Sequence, residues 1–137
     1  MKKMINTSFA YMILGLVFGV FYREFTKFHG FVGTTQLSVL HTHALVLGMF
    51  FFLIVALFFS RFNLAKEPKF KKFYFFYNLG LILNLVMMVV RGVTQVLGTN
   101  LASGPNAAIS GIAGLTHIIL TIGLFYFYAV LRQFAKK

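Results

Sequence analysis

Four long apolar segments, separated by short polar stretches, constrain this chain more than any other feature. They lie at about residues 6–25, 36–59, 73–97 and 107–131. A helix needs roughly 20 apolar residues to cross the hydrocarbon core of a bilayer, and each segment meets that length. Mean hydropathy is +0.84, and only 11% of the 137 residues are charged, a composition typical of membrane proteins. The sequence therefore predicts an all-α protein, a single transmembrane domain over residues 1–137.

Basic residues lie mainly on one side of these segments. Arg23 and Lys27 follow the first segment, whereas the two termini and the loop after the second segment carry the rest of the flanking charge: Lys2, Lys3, Arg61, Lys66, Lys69, Lys71, Lys72, Arg132, Lys136 and Lys137. The positive-inside rule then predicts that both termini and this loop are cytoplasmic. We expect an up-down-up-down four-helix bundle in the bacterial inner membrane. Because the charge flanks the spans, it does not indicate nucleic-acid binding.

Two local motifs predict how the helices pack and begin. Gly15 and Gly19 form a G-x-x-x-G pair in the first segment, and small residues let neighbouring helices approach closely. The stretch from Gly98 to Asn106 is rich in Gly, Asn and Ser and is expected to be a loop. Pro105, near its end, suits the first turn of the fourth helix.

Ionisable side chains inside the apolar segments are the main functional signal. His41 and His43 lie in the second segment, Arg91 in the third and His117 in the fourth. Such groups usually face the protein interior or a wet cavity. At a rise of about 1.5 Å per residue, the H-x-H pair lies about 8 to 10 Å, Arg91 about 9 Å and His117 about 15 Å below the outer ends of their helices. These depths predict one shared site in the outer half of the membrane.

Non-covalent haem b is the cofactor that this combination favours. Neutral imidazole is a good axial ligand for haem iron, and histidines from two helices would give six-coordinate iron. Covalent attachment is excluded, since the chain has no cysteine and so no C-x-x-C-H motif. Arg91 offers a guanidinium for the haem propionates, and Gln95 lies one turn further outward.

The second segment offers two histidines for one axial position. Residues i and i+2 of a helix point about 200° apart, so one helix cannot easily direct both imidazoles at one iron. The residues on the same helix face as His41, such as Ala44 and Gly48, are mostly small and leave room for a planar cofactor. The stripe through His43 resembles a packing surface, but His43 also needs a partner in lipid. Both remain candidates with His117, whereas His29 is expected to be solvated.

The string His41-Thr42-His43-Ala44-Leu45-Val46-Leu47-Gly48 resembles the H-x-H-x-x-x-x-G stretch of NnrS-type haem-copper membrane proteins. It is also distantly similar to the histidine-bearing helices of haem-copper oxidase subunit I, and the whole chain resembles small bacterial membrane proteins of that broad group. The resemblance implies b-type haem held by His41 or His43 together with His117. It favours His43, which keeps the spacing to Gly48. The NnrS-type acidic residue after the second histidine is Ala44 here, which does not fit a copper or proton role at that position.

A haem protein of this kind would transfer electrons or would sense or handle a small ligand, and the sequence does not decide whether it is an enzyme. One alternative is a cofactor-free structural or assembly subunit whose polar groups bond only each other. Another is a protein that handles copper or another transition metal through the three intramembrane histidines, with methionine ligands. Expected partners are the lipid bilayer, a second copy in a homodimer, and a redox partner or quinone.

Overall fold

A computed structural model describes residues 1–62, 64 and 67–135 of the chain. Its four long helices are α1 (Lys2–Phe28), α2 (Leu37–Arg61), α3 (Pro68–Val96) and α4 (Ser103–Ala135). All four are long and apolar enough to cross a membrane, which indicates a multi-pass membrane protein and confirms the all-helical prediction. Three of the basic residues used above, Lys66, Lys136 and Lys137, lie outside the described residues.

Three helix starts differ from the sequence prediction, and the first is that of α1, which begins at Lys2 rather than near residue 6. Helix α3 begins at Pro68 rather than near residue 73, with the proline in its first turn, where a missing N–H costs nothing. Helix α4 begins at Ser103 rather than near residue 107, so Pro105 lies in its first turn, as predicted, and Asn106 belongs to the helix rather than to a loop. Hydropathy marks only the apolar part of a helix, and all three helices extend through polar residues outside it.

Helix α1 packs closely on α2 through its glycines. A Cβ atom placed on Gly15 would lie 2.7 Å from the Leu45 side chain, and one on Gly19 would lie 3.8 Å from Cβ of His41. In the other direction, Gly48 of α2 receives the ring of Tyr11. The predicted close packing at the G-x-x-x-G motif is therefore confirmed, with α2 as its partner.

Helices α3 and α4 form the second closely packed pair. Gly80 of α3 lies against the backbone of Leu120, and a Cβ on Gly123 of α4 would lie 2.6 Å from the backbone nitrogen of Tyr77. Residue numbers rise along one helix as they fall along the other, so this pair is antiparallel. The glycines leave no room for side chains where the two backbones meet.

Polar contacts fix how the two pairs are joined. The hydroxyl of Tyr11 donates to Oδ1 of Asn78 across 2.9 Å, and Thr7 shares a hydrogen bond with Tyr74 one turn earlier in both helices, so α1 and α3 run in the same direction. Helix α2 runs the other way. Neighbouring helices in the chain are therefore antiparallel, as an up-down-up-down bundle requires.

Helices α2 and α4 meet through aromatic rings at one end of the bundle. The rings of Phe51 and Phe127 lie 5.4 Å apart, and those of Phe62 and Phe134 lie 5.0 Å apart. We call this end, which holds Lys2, Lys3, Arg61, Lys69, Lys71, Lys72 and Arg132, the basic end. The opposite end holds the connections between α1 and α2 and between α3 and α4. In the half of the bundle near it, the hydrogen bonds of α4 to other helices within the described residues go to α3.

Candidate functional site

His117 lies in the middle of α4 with its side chain exposed. Its Nδ1 is 2.8 Å from the backbone oxygen of Ala113, one turn earlier. A carbonyl oxygen only accepts, so Nδ1 of the neutral ring carries the proton and Nε2 keeps its lone pair. Histidine ligands of metals commonly donate their other ring N–H to a backbone carbonyl in this way, which fixes the tautomer and orients the ring.

His43 has the same arrangement on α2. Its Nδ1 is 2.9 Å from the backbone oxygen of Val39, which again leaves Nε2 with a free lone pair. The side chain is half-buried. His29 makes the same local bond, from Nδ1 to the oxygen of Phe25 across 2.8 Å, but it is exposed at the end of α1. Because the exposed His29 makes it too, this local bond fixes the tautomer of a ring but does not by itself identify a ligand.

A π-helical segment, Ala44–Phe50, rotates the first part of α2 relative to the rest. The N–H of Phe51 donates to Val46, five residues back, so one turn takes up an extra residue. His43 and Phe51 are eight residues apart in sequence. Because of the extra residue, their angle around the helix axis is that of two residues seven apart in a continuous α-helix. Seven residues make nearly two full turns. His43 is therefore brought to the side of α2 that carries Phe51. The ring of Phe51 lies 4.3 Å from that of Tyr77 on α3 and 5.4 Å from that of Phe127 on α4.

His117 lies beside the stripe of α4 that turns toward α2. Leu124, seven residues later and on the same stripe, packs on the core. Phe127, on the adjoining stripe, contacts Phe51 of α2, whereas Tyr126 on the far side of α4 stacks on a phenylalanine of α3. His117 therefore lies on an exposed stripe of α4, next to the stripe that contacts α2 through Phe127.

The depths of His43 and His117 can be compared by finding which residues of α3 lie level with each of them. A Cβ on Gly92 would lie 2.8 Å from the backbone nitrogen of Leu37, so these residues are level. His43 follows Leu37 by six residues on an antiparallel helix. It is therefore level with about Val86 of α3, two turns nearer the middle of the bundle than Gly92.

The same comparison locates His117. Thr116 approaches Asn84 of α3, with Oγ1 and Oδ1 3.5 Å apart, so His117 is level with about Leu83. Three residues of helix separate this level from that of Val86, which is about 5 Å along the bundle axis. The two imidazoles therefore lie at nearly the same depth on α2 and α4.

His41 lies on another side of α2, against α1. Its Cβ and Cγ are the atoms that a Cβ on Gly19 would meet, and its Nδ1 is the one buried side-chain nitrogen or oxygen of the described residues that lacks a hydrogen-bond partner. The small stripe through Ala44 and Gly48, expected to receive a guest, is covered by α1 instead. Small residues on a helix face allow either a cavity or close packing of another helix. Here α1 packs closely on this face and no cavity is left for a cofactor.

Arg91 joins α3 to the first turns of α4. Its guanidinium donates to Oδ1 of Asn106 across 2.6 Å and to Oγ of Ser110 across 2.7 Å. Its one-turn neighbour Gln95 accepts a hydrogen bond from the backbone N–H of Gln36, 2.8 Å away, at the start of α2. Asn106 and Ser110 were not among the predicted site residues, although their spacing of four places them on one face of a helix.

An open cleft of about 250 Å³ lies beside Arg91 at the opposite end of the bundle, lined by Thr94, Gln95, Thr99, Asn100, Leu101 and Asn106. Arg91 is the one charged side chain in this lining. The site residues predicted from sequence therefore separate into three places: His43 and His117 at nearly the same depth on α2 and α4, Arg91 and Gln95 nearer the opposite end, and His41 against α1.

No group of three His, Cys, Asp or Glu side chains lies close enough to hold a metal ion within residues 1–62, 64 and 67–135. A copper or zinc site made by the protein alone needs three or four ligands. Haem needs only one or two axial ligands from the protein, because its macrocycle supplies the rest. Two histidines from the protein therefore meet the ligand requirement of haem but not that of a zinc ion.

Comparison with known proteins gives one family. Residues 1–134 match the family described as "Protein of unknown function (DUF2871)". No curated protein and no solved structure matches the chain.

Proposed function

We propose that this chain, which belongs to the DUF2871 family of proteins of unknown function, is a membrane-embedded haem b protein. In this proposal His43 of α2 and His117 of α4 are the axial ligands. The observation that carries it is the nearly equal depth of the two imidazoles on α2 and α4. Each has its Nδ1 bonded to a backbone oxygen, which leaves Nε2 for iron.

The donors available suit this cofactor. Haem iron takes neutral nitrogen ligands without a nearby carboxylate or thiolate, and the described part of α2 and α4 has neither Asp, Glu nor Cys. The apolar sides of the two helices would cover the macrocycle and exclude water. Arg91 adds a positive charge toward the opposite end, where propionates could join its bonds to Asn106 and Ser110.

Electron transfer is the activity that this ligand pair favours. When bound, haem supplies a one-electron couple at iron, and two axial histidines leave no open position for a substrate. The chain itself would hold both imidazole rings through their Nδ1 hydrogen bonds. The iron could then change its oxidation state with little movement of the rings. Sensing or handling of a small ligand would require one histidine to leave, and His117, with its exposed side chain, is the one that can move.

The membrane setting follows from the charge distribution. We place the basic end in the cytoplasm of a bacterial inner membrane, by the positive-inside rule, which puts the haem in the outer half of the bilayer. The resemblance of the H-x-H-x-x-x-x-G stretch to NnrS-type and haem-copper oxidase proteins supports haem and does not require copper, since Ala44 replaces the acidic residue of NnrS-type proteins. A quinone or a redox protein would be the electron partner.

One observation favours a second candidate, a subunit that packs against other transmembrane helices. A Cβ atom on Gly111 or Gly114 of α4 would meet no other atom within 4 Å, and Ser110 and Thr121 are exposed on neighbouring turns. A stripe of small and hydroxyl residues is typical of helix–helix contacts in lipid. A homodimer through this face would also cover a macrocycle held by His117.

The haem content of the purified protein tests the proposal. The chain is produced in a host with ample haem and isolated in mild detergent, and haem and copper are quantified per chain. We expect haem close to one per chain, a Soret band and no stoichiometric copper. A subunit without cofactor would contain neither, and a copper protein would contain the metal without the Soret band.

A further inference from the structure

A groove on the outside of α1 and α3 is independent of the histidine site. It consists of two adjoining clefts of about 710 and 790 Å³, which share Lys3, Tyr74 and Asn78 in their linings. Apolar side chains such as Met4, Phe75 and Leu79 form much of its wall. We call it the α1–α3 groove.

The groove extends through one leaflet of a bilayer. On α1 its lining extends from Lys2 to Leu14, and on α3 from Phe70 to Ile82. Each stretch is thirteen residues long, about 18 Å of helix. One leaflet contributes half of the hydrocarbon core, about 15 Å. Because α1 and α3 are parallel, the lysines of the groove lie at the basic end, and Leu14 and Ile82 lie near the middle of the membrane.

Four polar side chains along the groove, those of Thr7, Tyr11, Tyr74 and Asn78, are already hydrogen-bonded. Tyr74 and Thr7 share a hydrogen bond of 2.8 Å, and Asn78 accepts from Tyr11 and donates to the oxygen of Tyr74. The ammonium of Lys3 lies 3.8 Å from the centre of the Tyr74 ring. This contact holds the charge at the mouth of the groove without neutralising it.

Little negative charge balances these lysines. The chain has only two acidic residues: Glu24 pairs with Arg23 near the opposite end, 3.7 Å away, and Glu67 precedes α3 and forms no ion pair within the described residues. Lys2, Lys3 and Lys71 therefore leave net positive charge where the apolar groove reaches the membrane surface.

We infer that the α1–α3 groove binds an anionic phospholipid. The phosphate of the headgroup lies between Lys3 and Lys71, and one acyl chain follows the apolar wall toward Leu14 and Ile82. Juxtamembrane lysines attract anionic lipids, and the length of the groove matches one chain in one leaflet. The site is distinct from that of haem, so it neither requires nor excludes the proposed function.

Lipid titration with mass-spectrometric detection of intact complexes tests this inference. Wild-type protein is titrated separately with dioleoylphosphatidylglycerol and dioleoylphosphatidylcholine, and the two affinities are compared. These lipids have the same acyl chains but differ in headgroup charge. The first variant is Lys3→Gln/Lys71→Gln. The matched control is Lys69→Gln/Lys72→Gln, which removes the same charge at the same end: Lys69 lines a different cleft, and Lys72 lies toward Tyr126 of α4.

We expect wild type to retain one phosphatidylglycerol in preference to phosphatidylcholine. Each lysine removed from the groove should weaken binding about fivefold, and so about 30-fold for the double variant. The control should bind like wild type. Equal affinity for the two lipids, or equal losses in the two double variants, would overturn the inference, because general surface charge would then explain the binding.

A third variant tests the apolar part of the groove. Ala10 is exposed and lines it, so Ala10→Phe fills the space without a change of charge or a clash in the core. We expect this variant to keep its helical circular dichroism and to lose the retained phosphatidylglycerol. A folded Ala10→Phe variant that binds the lipid as tightly as wild type would overturn the predicted acyl-chain position.

Discussion

The hydroxyl of Tyr77 donates a hydrogen bond to the backbone oxygen of Leu47 across 2.8 Å. Leu47 lies in the π-helical segment of α2, where the N–H of Phe51 donates to Val46 and leaves the oxygen of Leu47 without that partner. Ser8 of α1 donates to a second oxygen of the same segment, that of Met49, across 2.8 Å. The neighbouring helices therefore stabilise the π segment, which in turn brings His43 to the side of α2 that carries Phe51.

Tyr77→Phe tests this role of the tyrosine. The change removes only the hydroxyl, so the cost is the hydrogen bond to Leu47, about 1 kcal/mol inside a membrane protein. We expect a lower midpoint of thermal unfolding in detergent and weaker haem retention, because the orientation of His43 depends on the π segment.

Tyr128→Phe is the matched control, since Tyr128 is 60% exposed on α4. It should unfold and bind haem like wild type. If the two variants unfolded at the same temperature, the bond from Tyr77 would have no role in holding the π segment.

The spans could be predicted from the sequence, whereas the π segment could not. Four apolar runs determine four helices because the backbone must satisfy its own hydrogen bonds in lipid. The π geometry depends instead on donors from Ser8 and Tyr77, which are distant in sequence. The π geometry determines on which side of α2 His43 lies. The hydrophobic periodicity of the second segment does not reveal this.

The choice between the two neighbouring histidines illustrates the same limit. Small residues around His41 suggested space for a guest, but α1 fills that space through Gly15 and Gly19. The depths of the histidines were predicted from the constant rise per residue, but the start of α4 at Ser103 puts His117 about 21 Å from the end of its helix rather than about 15 Å. The partners of Arg91 were not predicted, since Asn106 was assigned to a loop and belongs to the first turns of α4.

Gly123→Ala should destabilise the protein because its Cβ would lie 2.6 Å from the backbone nitrogen of Tyr77. Overpacking of this kind costs roughly 1 to 3 kcal/mol. Gly111→Ala on the same helix meets no atom within 4 Å and should be neutral. Thermal unfolding of the two variants checks the packing of α3 on α4, and equal midpoints would contradict it.

Arg91→Leu should lower haem retention without preventing membrane insertion. The guanidinium braces α3 against α4 and supplies positive charge near the site. Asn106→Ala separates these roles, because it removes a hydrogen-bond partner of Arg91 and keeps the positive charge of the guanidinium. We expect a larger loss of haem and a larger shift of redox potential in Arg91→Leu than in Asn106→Ala. Equal effects would remove the propionate role and leave Arg91 as a structural brace.

Reporter fusions after Lys3, Pro68 and Lys137 should all report cytoplasm. The prediction depends on ten of the thirteen basic residues flanking the same side of the spans. A fusion after Asn100, between α3 and α4, should report the other compartment. A periplasmic signal at Pro68 would reverse the orientation of the bundle.

The visible spectrum of the reduced protein, measured for wild type and for His→Ala variants at the four histidines, tests the central claim most directly. Iron held by His43 and His117 should give sharp low-spin α and β bands, lost or broadened in His43→Ala and His117→Ala. His29→Ala should leave the bands intact, and His41→Ala should mainly affect stability where α1 meets α2. Wild-type protein without a Soret band despite ample haem, or bands that persist in His117→Ala, would contradict the account.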